Sequence, residues 1–284
     1  MIPPSLDRLP SRTPKLRKWY FCANERGFPH GIRQIAAAVA SARANTDLEP
    51  HCLYAGSKAS HVQAIEGLGV RVRQHRPTFD AELRAAYGDA YDTFVGHWLR
   101  VDIPRLETGN ELILYTDYDV LFLGPPRVPW RVPLLAAAPE VDPEETLLFN
   151  SGVLVMNTKG LRRVQDAFLD AIRARLSGDF RYPGHDQVSF NTFFRRTFAN
   201  RLRGRARTAL PLVSNWKPYW GWNDDARIVH FHGPKPMNIR DFEAGRMTEN
   251  QAKLVALWDR DRAAYARYVS EWERYDREGA AMLA

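Results

Sequence analysis

Cysteine is scarce in this chain of 284 residues: Cys22 and Cys52 are the only two. A disulfide scaffold uses more cysteines in a shorter chain, so two buried thiols are expected. No CxxC and no Cys/His spacing of the zinc type occurs. Nothing approaches the run of about 18 apolar residues that reads as a membrane span. The N-terminal stretch MIPPSLDRLPSRTPKLRK is rich in proline and arginine and has no secretory-type apolar segment, so a cytoplasmic location is expected. A glycine-rich loop after the first apolar run is also lacking, since CANERGFPHG stands there instead. With neither an internal repeat nor a convincing linker, the chain reads as one mixed α/β domain with a helical tail.

What is present is ample apolar material. The hydrophobic share is 45% and the aromatic share 12%, enough to bury a core and contrary to disorder. The 40 Lys+Arg outnumber the 33 Asp+Glu, for a formal net charge of +7. That balance suits an anionic partner: nucleic acid, a phosphate-bearing small molecule or an acidic membrane surface. A basic nucleic-acid-binding protein would cluster Lys/Arg among aromatics. Here the arginines read as scattered over many segments, and no nucleic-acid partner is expected.

Residues 1–16, with four prolines, read as a flexible arm. An alternation follows: strands at WYFCA (19–23), HCLYAG (51–56), VRVRQH (70–75) and ELILYT (111–116). Helices are expected at 30–45, 61–68 and 91–106, the last ending before Pro104. This order predicts a parallel sheet of right-handed crossovers, which binds ligands at the carboxyl ends of its strands. Further on, 134–139, 149–157 and 226–233 read as strands. Residues 158–176, 185–195 and the stretch from Asn250 to the end read as helices.

Asp117 and Asp119 follow the fourth of these strands, in YTDYDVLF. In extended backbone, side chains two apart share a face, so the carboxylates converge and repel unless a cation lies between them. Oxygen ligands suit manganese or magnesium. Strand-end aspartates at this spacing also serve as turn formers or caps, and the motif alone leaves both readings open. His230, in IVHFHGPKP, adds a third ligand, with His232 a further candidate. Gly233 and Lys235 make a turn fit to approach a diphosphate, whose charge a metal and Lys235 would share. Asn150, Ser151 and Gly152 either bond hydroxyls of a ligand or form a turn. After Gly184 and His185, Asp186 either caps a helix or, with Gln187, bonds a sugar.

YTDYDVLF, FNSGVLVMNTKGLR, HDQVSFN, LPLVSNW and VHFHGPKP occur in the order of glycosyltransferase family 8, which the sequence resembles over roughly residues 18–240. The resemblance implies the GT-A fold, a Rossmann-like, mixed but mostly parallel sheet flanked by helices. It implies a glycosyltransferase domain over 17–245, followed at 246–284 by a C-terminal helical extension packed on it. The implied activity is metal-dependent transfer of a hexose from a nucleotide sugar, normally UDP-linked, to a hydroxyl of a glycan, glycolipid or protein, with retention. Position by position, Asp117, Asp119 and His230 would hold Mn2+, or Mg2+. Ala23 and Asn24 would line the nucleoside pocket, with Tyr118 also on the donor, and Arg100 would be the basic residue that approaches it. Asn150, Ser151, Asp186 and Gln187 would face the donor sugar, and Gly233 and Lys235 the diphosphate. Asp186, Gln187 and Lys235 would be the catalytic set.

Front-face attack assisted by the leaving diphosphate and a double displacement through Asp186 or Gln187 are both open at this point. There are departures from the family. Its members commonly have two residues between that glycine and lysine and a tryptophan after the proline. This chain has Pro234 alone between them, and Met237 after Pro236. The competing readings rank lower. A sugar-phosphate nucleotidyltransferase wants the missing glycine-rich loop, and a degenerate, binding-only transferase is at odds with the intact Asp117, Asp119 and His230.

Two aromatic groups remain. Trp216, Trp220 and Trp222 read as core packing for the first, with a sugar platform open for the other two. Trp258, Tyr265, Trp272, Tyr268 and Tyr275 form one stripe on a charged helix, expected to pack on the domain or a second subunit. A peripheral contact with the inner face of a membrane is the lesser expectation for this stripe.

Overall fold

The computed structural model describes residues 14–109, 112–177 and 185–284. The arm expected over residues 1–16 lies outside them except for its last three residues, of which Leu16 is buried.

The first half alternates as the apolar runs predict. The strands are β1 (Lys18–Asn24), β2 (Glu49–Ala55), β3 (Arg71–Gln74) and β4 (Leu112–Thr116). Between them lie the helices α1 (Phe28–Asn45), α2 (Ala59–Gly67), α3 (Asp80–Tyr87), α4 (Tyr91–Trp98) and α5 (Ile103–Leu106). Of these, α3 was not anticipated. Nor does the helix expected over 91–106 end before Pro104. A 3-10 turn, Leu99–Asp102, joins α4 to α5, and Pro104 sits in the first turn of α5, where its missing N–H is not needed.

The second half returns through β5 (Val120–Phe122), β6 (Leu135–Pro139), β7 (Phe149–Asn157), β8 (Thr208–Ala209) and β9 (Ile228–His230). Its helices are α6 (Thr158–Arg162), α7 (Gln165–Leu176), α8 (His185–Phe193), α9 (Phe198–Leu202), α10 (Pro236–Glu243), α11 (Glu249–Trp258) and α12 (Arg262–Leu283). The helix expected over 158–176 is therefore two, broken at Arg163 and Val164. The C-terminal helix is likewise two, with Asp261 accepting from Ala264 N to start the second. The strand expected over 226–233 shrinks to β9.

The main sheet has seven strands in the order β3-β2-β1-β4-β7-β6-β8. The pairs β2–β3, β1–β2, β1–β4 and β6–β8 are parallel, whereas β7 runs antiparallel to β4 and β6. β5 and β9 form a separate antiparallel pair that sets Val120 opposite His230. The architecture is thus the expected α/β one, a mixed and mostly parallel sheet flanked by helices.

Alternation along the strands builds two core layers. Tyr20 and Cys22 of β1, with Ile113 and Tyr115 of β4, pack on one face; Trp19, Phe21, Ala23 and Leu114 pack on the other. Both cysteines are buried free thiols. On the second face α1 contributes Ala36, Ala38, Val39 and Ala42, whose small side chains let the helix lie close. Its far side meets α12. The aromatic stripe of Trp258, Tyr265, Tyr268, Trp272 and Tyr275 is buried there, so it packs on the domain and offers no membrane-facing surface. Among the described residues no helix is long and apolar enough to cross a membrane.

The α1–α12 contact is close because of one glycine. A Cβ on Gly279 would lie 2.6 Å from the backbone carbon of Ala36 and 2.8 Å from its Cβ. Gly279→Ala should therefore cost about 1–3 kcal/mol in urea unfolding, because two backbones would have to separate. Gly67→Ala, where a Cβ meets nothing within 4 Å, should be neutral or stabilising by up to about 1 kcal/mol.

Candidate active site

The site forms at the carboxyl end of β4. Asp117 is held there by its own N–H, which donates to Gly152 O of β7 (2.7 Å). Asp119 is held through its carbonyl, which accepts from Phe231 N (2.9 Å) just beyond β9. The β5–β9 pairing thus brings a residue more than a hundred positions away onto the aspartates. Ligand atoms of Asp117, Asp119 and His230 all lie within 4.8 Å of one another.

A relay of amides orients His230. Asn150 Oδ1 accepts from Gly152 N (3.1 Å) and from Asn215 Nδ2 (3.1 Å). That leaves Asn215 Oδ1 as an acceptor, 3.2 Å from His230 Nδ1. The imidazole proton is therefore assigned to Nδ1, and Nε2 carries a lone pair. This lone pair faces Asp119 Oδ1 at 3.3 Å, and that oxygen is buried without a hydrogen-bond partner among the described residues. Two acceptors facing each other inside a protein call for a cation between or beside them.

The space beside them is kept by glycine. A Cβ on Gly152 would come within 2.3 Å of His230 Cε1 and 2.7 Å of Asp117 Oδ2. Two carboxylates and an imidazole fit a divalent ion such as manganese. Burial pushes the Asp119 carboxyl up, but the Lys235 ammonium outweighs it and holds the group well below the usual carboxylate range. Asp117 is likewise pushed up by burial and held down overall, mainly by Arg100.

Arg100 is the hub of the other side. It is 3% exposed, with Nε 2.8 Å from Asp186 Oδ2 and Nη1 3.3 Å from Asp117 Oδ1 and 2.5 Å from Ser151 O. Burial alone would lower its pKa; the two aspartates reverse this and raise it. Asp186 is correspondingly buried at 1% exposure. Gln187, one residue on, is half-buried. Its Oε1 accepts from Ser151 N (2.9 Å) and its Nε2 donates to Glu140 Oε1 (2.5 Å). Gly184 and the side chain of His185 lie outside the described residues.

On the α1 side, Ala23 is buried at the end of β1. Asn24 donates from Nδ2 to Asp92 O, and its Oδ1 accepts from Gly27 N (3.1 Å). Tyr118 lies over the first turn of α1, where a Cβ on Gly31 would meet its ring at 3.0 Å. Burial pushes the Tyr118 hydroxyl up to about 12.

The turn after β9 depends on Gly233, whose φ of +99° favours glycine. A Cβ there would also come within 2.8 Å of Leu257 Cδ1 of α11. With the shortened spacing, Lys235 Nζ donates to Asp119 Oδ2 and to Phe231 O (2.9 Å). His232 lies past the end of β9 and turns away, its Nδ1 2.8 Å from Tyr219 OH; burial, with Lys217 adding to it, pushes it down to about 3. Trp216, Trp220 and Trp222 are all half-buried against the cluster that holds Tyr265, Tyr268 and Trp272, and each indole N–H is bonded within the protein.

The trio Asp117, Asp119 and His230 is brought together as expected, with Asn150, Ser151 and Gln187 alongside. Asn215, Tyr115 and Glu140 were not singled out from the sequence. Asn215 sits within LPLVSNW, so that block contained the signal. Tyr115, whose hydroxyl donates to Asp117 Oδ1 (2.8 Å), read only as a core strand residue.

Lys217 is fully buried, with Nζ 2.7 Å from Pro139 O and 4.2 Å above the Trp220 ring. Burial drives its pKa well below the ordinary 10.5. Below 10.5 the unfolded chain takes up a proton that the folded chain resists, so this lysine costs stability as pH falls towards its folded value. Lys217→Met should raise stability by about 1 kcal/mol at neutral pH, and the gap over wild type should widen as pH falls through that window. Thermal unfolding of both proteins against pH checks this. Gly152→Ala should remove divalent-metal binding measured by manganese electron paramagnetic resonance, with a fold cost of about 1–3 kcal/mol.

No family model and no curated protein matches the chain. Solved structures do. The apo form of the glycosyltransferase GlyE from Streptococcus pneumoniae TIGR4 superposes with a TM-score of 0.53 at 16% identity, over 92% of this chain. The chain spans 63% of that protein's length. The galactosyltransferase LgtC, solved with donor and acceptor sugar analogues, gives 0.55 at 18% identity, covering 84% of this chain and 94% of LgtC. The bifunctional glycosyltransferase WbbM gives 0.50 at 14% identity, over 88% of this chain and 53% of that one. At these identities the likeness concerns the fold, which is of the GT-A type.

Proposed function

We propose that this chain is a metal-dependent glycosyltransferase that moves a hexose from a UDP-linked sugar to a hydroxyl of a glycan, glycolipid or protein acceptor, with retention. The observation that carries the reading is the convergence of Asp117, Asp119 and His230 within 4.8 Å at the carboxyl end of β4, beside the cradle left by Gly152. The GT-A fold and the neighbours GlyE and LgtC support it. In this reading residues 17–245 form the catalytic domain and 246–284 a C-terminal extension, in a cytoplasmic protein.

Asp117, Asp119 and His230 would hold manganese, or magnesium, which supplies positive charge to the departing diphosphate. Lys235 and the Gly233 turn would bind that diphosphate, and Ala23, Asn24 and Tyr118 the nucleoside. Asn150, Ser151 and Gln187 would fix the sugar, with Arg100 and Asp186 behind them. The ion pair of Asp186 with Arg100, at 2.8 Å, commits that carboxylate to a buried cation. Gln187 Oε1 is committed to Ser151 N. Neither group is poised as a nucleophile, which favours attack from the side of the leaving group, where the diphosphate takes the acceptor proton. A sugar-phosphate nucleotidyltransferase remains disfavoured, because CANERGFPHG after β1 supplies no glycine-rich phosphate loop.

With saturating UDP-hexose and manganese, the stabilisation should reach about 2.7 kcal/mol at a hundredfold excess over Kd. Its signature is a rise in Tm that chelator abolishes. If no nucleotide sugar in a broad panel raises Tm in the presence of metal, the reading fails. Asp119→Ala should lose metal-dependent donor binding while remaining folded by circular dichroism; unchanged donor affinity would sink the metal assignment. Proton NMR of the fresh product reports the anomeric outcome, and an inverted product would exclude retention.

A further inference from the structure

The catalytic edge uses one side of α8, that of Asp186 and Gln187. Its other side faces α9 and a chemically distinct surface. No acidic residue occurs from Val188 to Asn223, whereas Arg195, Arg196, Arg201, Arg203, Arg205 and Arg207 all do. Arg207 is tied inward, donating to Ala137 O (3.3 Å) and Thr146 O (3.0 Å). Arg201 and Arg203 are exposed and Arg205 half-buried, and none of the three has a carboxylate partner among the described residues. Between the first two stands Leu202, 73% exposed.

Beneath them lies a cavity of about 330 Å³ lined by Ser189, Thr192, Phe193, Asn200, Arg203 and Arg205, among others. Ser189 is 5% exposed, and its buried Oγ has no hydrogen-bond partner among the described residues. A buried hydroxyl left unbonded is costly, so a ligand that accepts from it is favoured there. Arg205 is stacked over the Phe193 ring at 4.6 Å, which holds its guanidinium at the cavity wall. Guanidinium groups and a hydroxyl are the donors that recognise a phosphate monoanion or diester.

The surroundings select the kind of phosphate. A nucleic-acid surface presents aromatic faces for base stacking, whereas Phe193 is buried. What this rim exposes is an aliphatic side chain between two arginines without a carboxylate partner among the described residues, the pairing suited to a lipid interface. We propose that the α8–α9 face docks on an anionic phospholipid surface, with a headgroup phosphate entering the cavity and Leu202 entering the acyl boundary. This surface lies away from the aromatic stripe from which a membrane contact was expected. It does not rest on the transferase reading, and its test needs no turnover.

The full chain would be sedimented with vesicles of phosphatidylcholine, with and without phosphatidylglycerol. Wild type should partition onto the anionic vesicles and not the neutral ones, and added salt should weaken the binding. Leu202→Glu should reduce it roughly tenfold, and Arg203→Ala/Arg205→Ala roughly thirtyfold, at about a factor of five per arginine. Leu202 is exposed, so its variant should keep the wild-type Tm, and the vesicle-independent Tm of both variants is the fold control. Equal binding to neutral and anionic vesicles would overturn the proposal, as would undiminished binding by the folded variants. Tighter binding of a single-stranded RNA oligonucleotide than of vesicles would point to nucleic acid instead. Glycerol phosphate bound as tightly as the vesicles would make the site one for a free phosphate ester, and the lipid surface would be wrong.

Discussion

The buried guanidinium of Arg100 is the constraint on which the active edge depends. A cation at 3% exposure is tolerated only where its charge and its donors are matched, and here the matching groups come from three directions. Asp117 arrives from the end of β4, Asp186 from the start of α8, and the Ser151 carbonyl from β7. Strands that meet antiparallel and a helix distant in sequence are therefore fixed to one point. Removing either aspartate would leave a buried charge half-compensated, so these carboxylates hold the structure of the site.

The opposite wall is built from neutral groups. Asn150, Asn215 and His230 form a line of side-chain hydrogen bonds, Asn150 Oδ1 accepting from Asn215 Nδ2 and Asn215 Oδ1 accepting from His230 Nδ1. This line decides which imidazole nitrogen faces Asp119. The site is thus polarised: Arg100 governs one side by charge, and Asn215 governs the other by tautomer. Glu140 links the two halves of the rim, since its carboxylate receives Gln187 Nε2 and its carbonyl accepts from Tyr219 OH (3.1 Å).

Legibility in the sequence followed periodicity. β1, α1, β2 and β4 were readable because their apolar residues repeat with the period of the element that buries them. The later half resisted because its strands are short and its turns are set by tertiary contacts. β9 stops at His230 because Gly233 reverses the chain and His232 is drawn off to Tyr219, and neither event has a local signature. In the site, Asp117, Asp119 and His230 could be named because three residues of metal-ligating type stood in a recognisable order of blocks. Asn215, Tyr115 and Glu140 are single polar residues whose role comes only from what they touch. Arg100 could be named, but its burial could not, because the two aspartates that permit it are remote in sequence.

The Gly233 turn presses against Leu257, with room for no side-chain atom between them. The C-terminal helices therefore act as a splint for the loop that carries Lys235. Helices that come after the last strand in sequence thus set the shape of the Gly233 turn. A side chain at position 233 would have to push that leucine aside, so the seating of α11 is tied to the place where Lys235 meets Asp119.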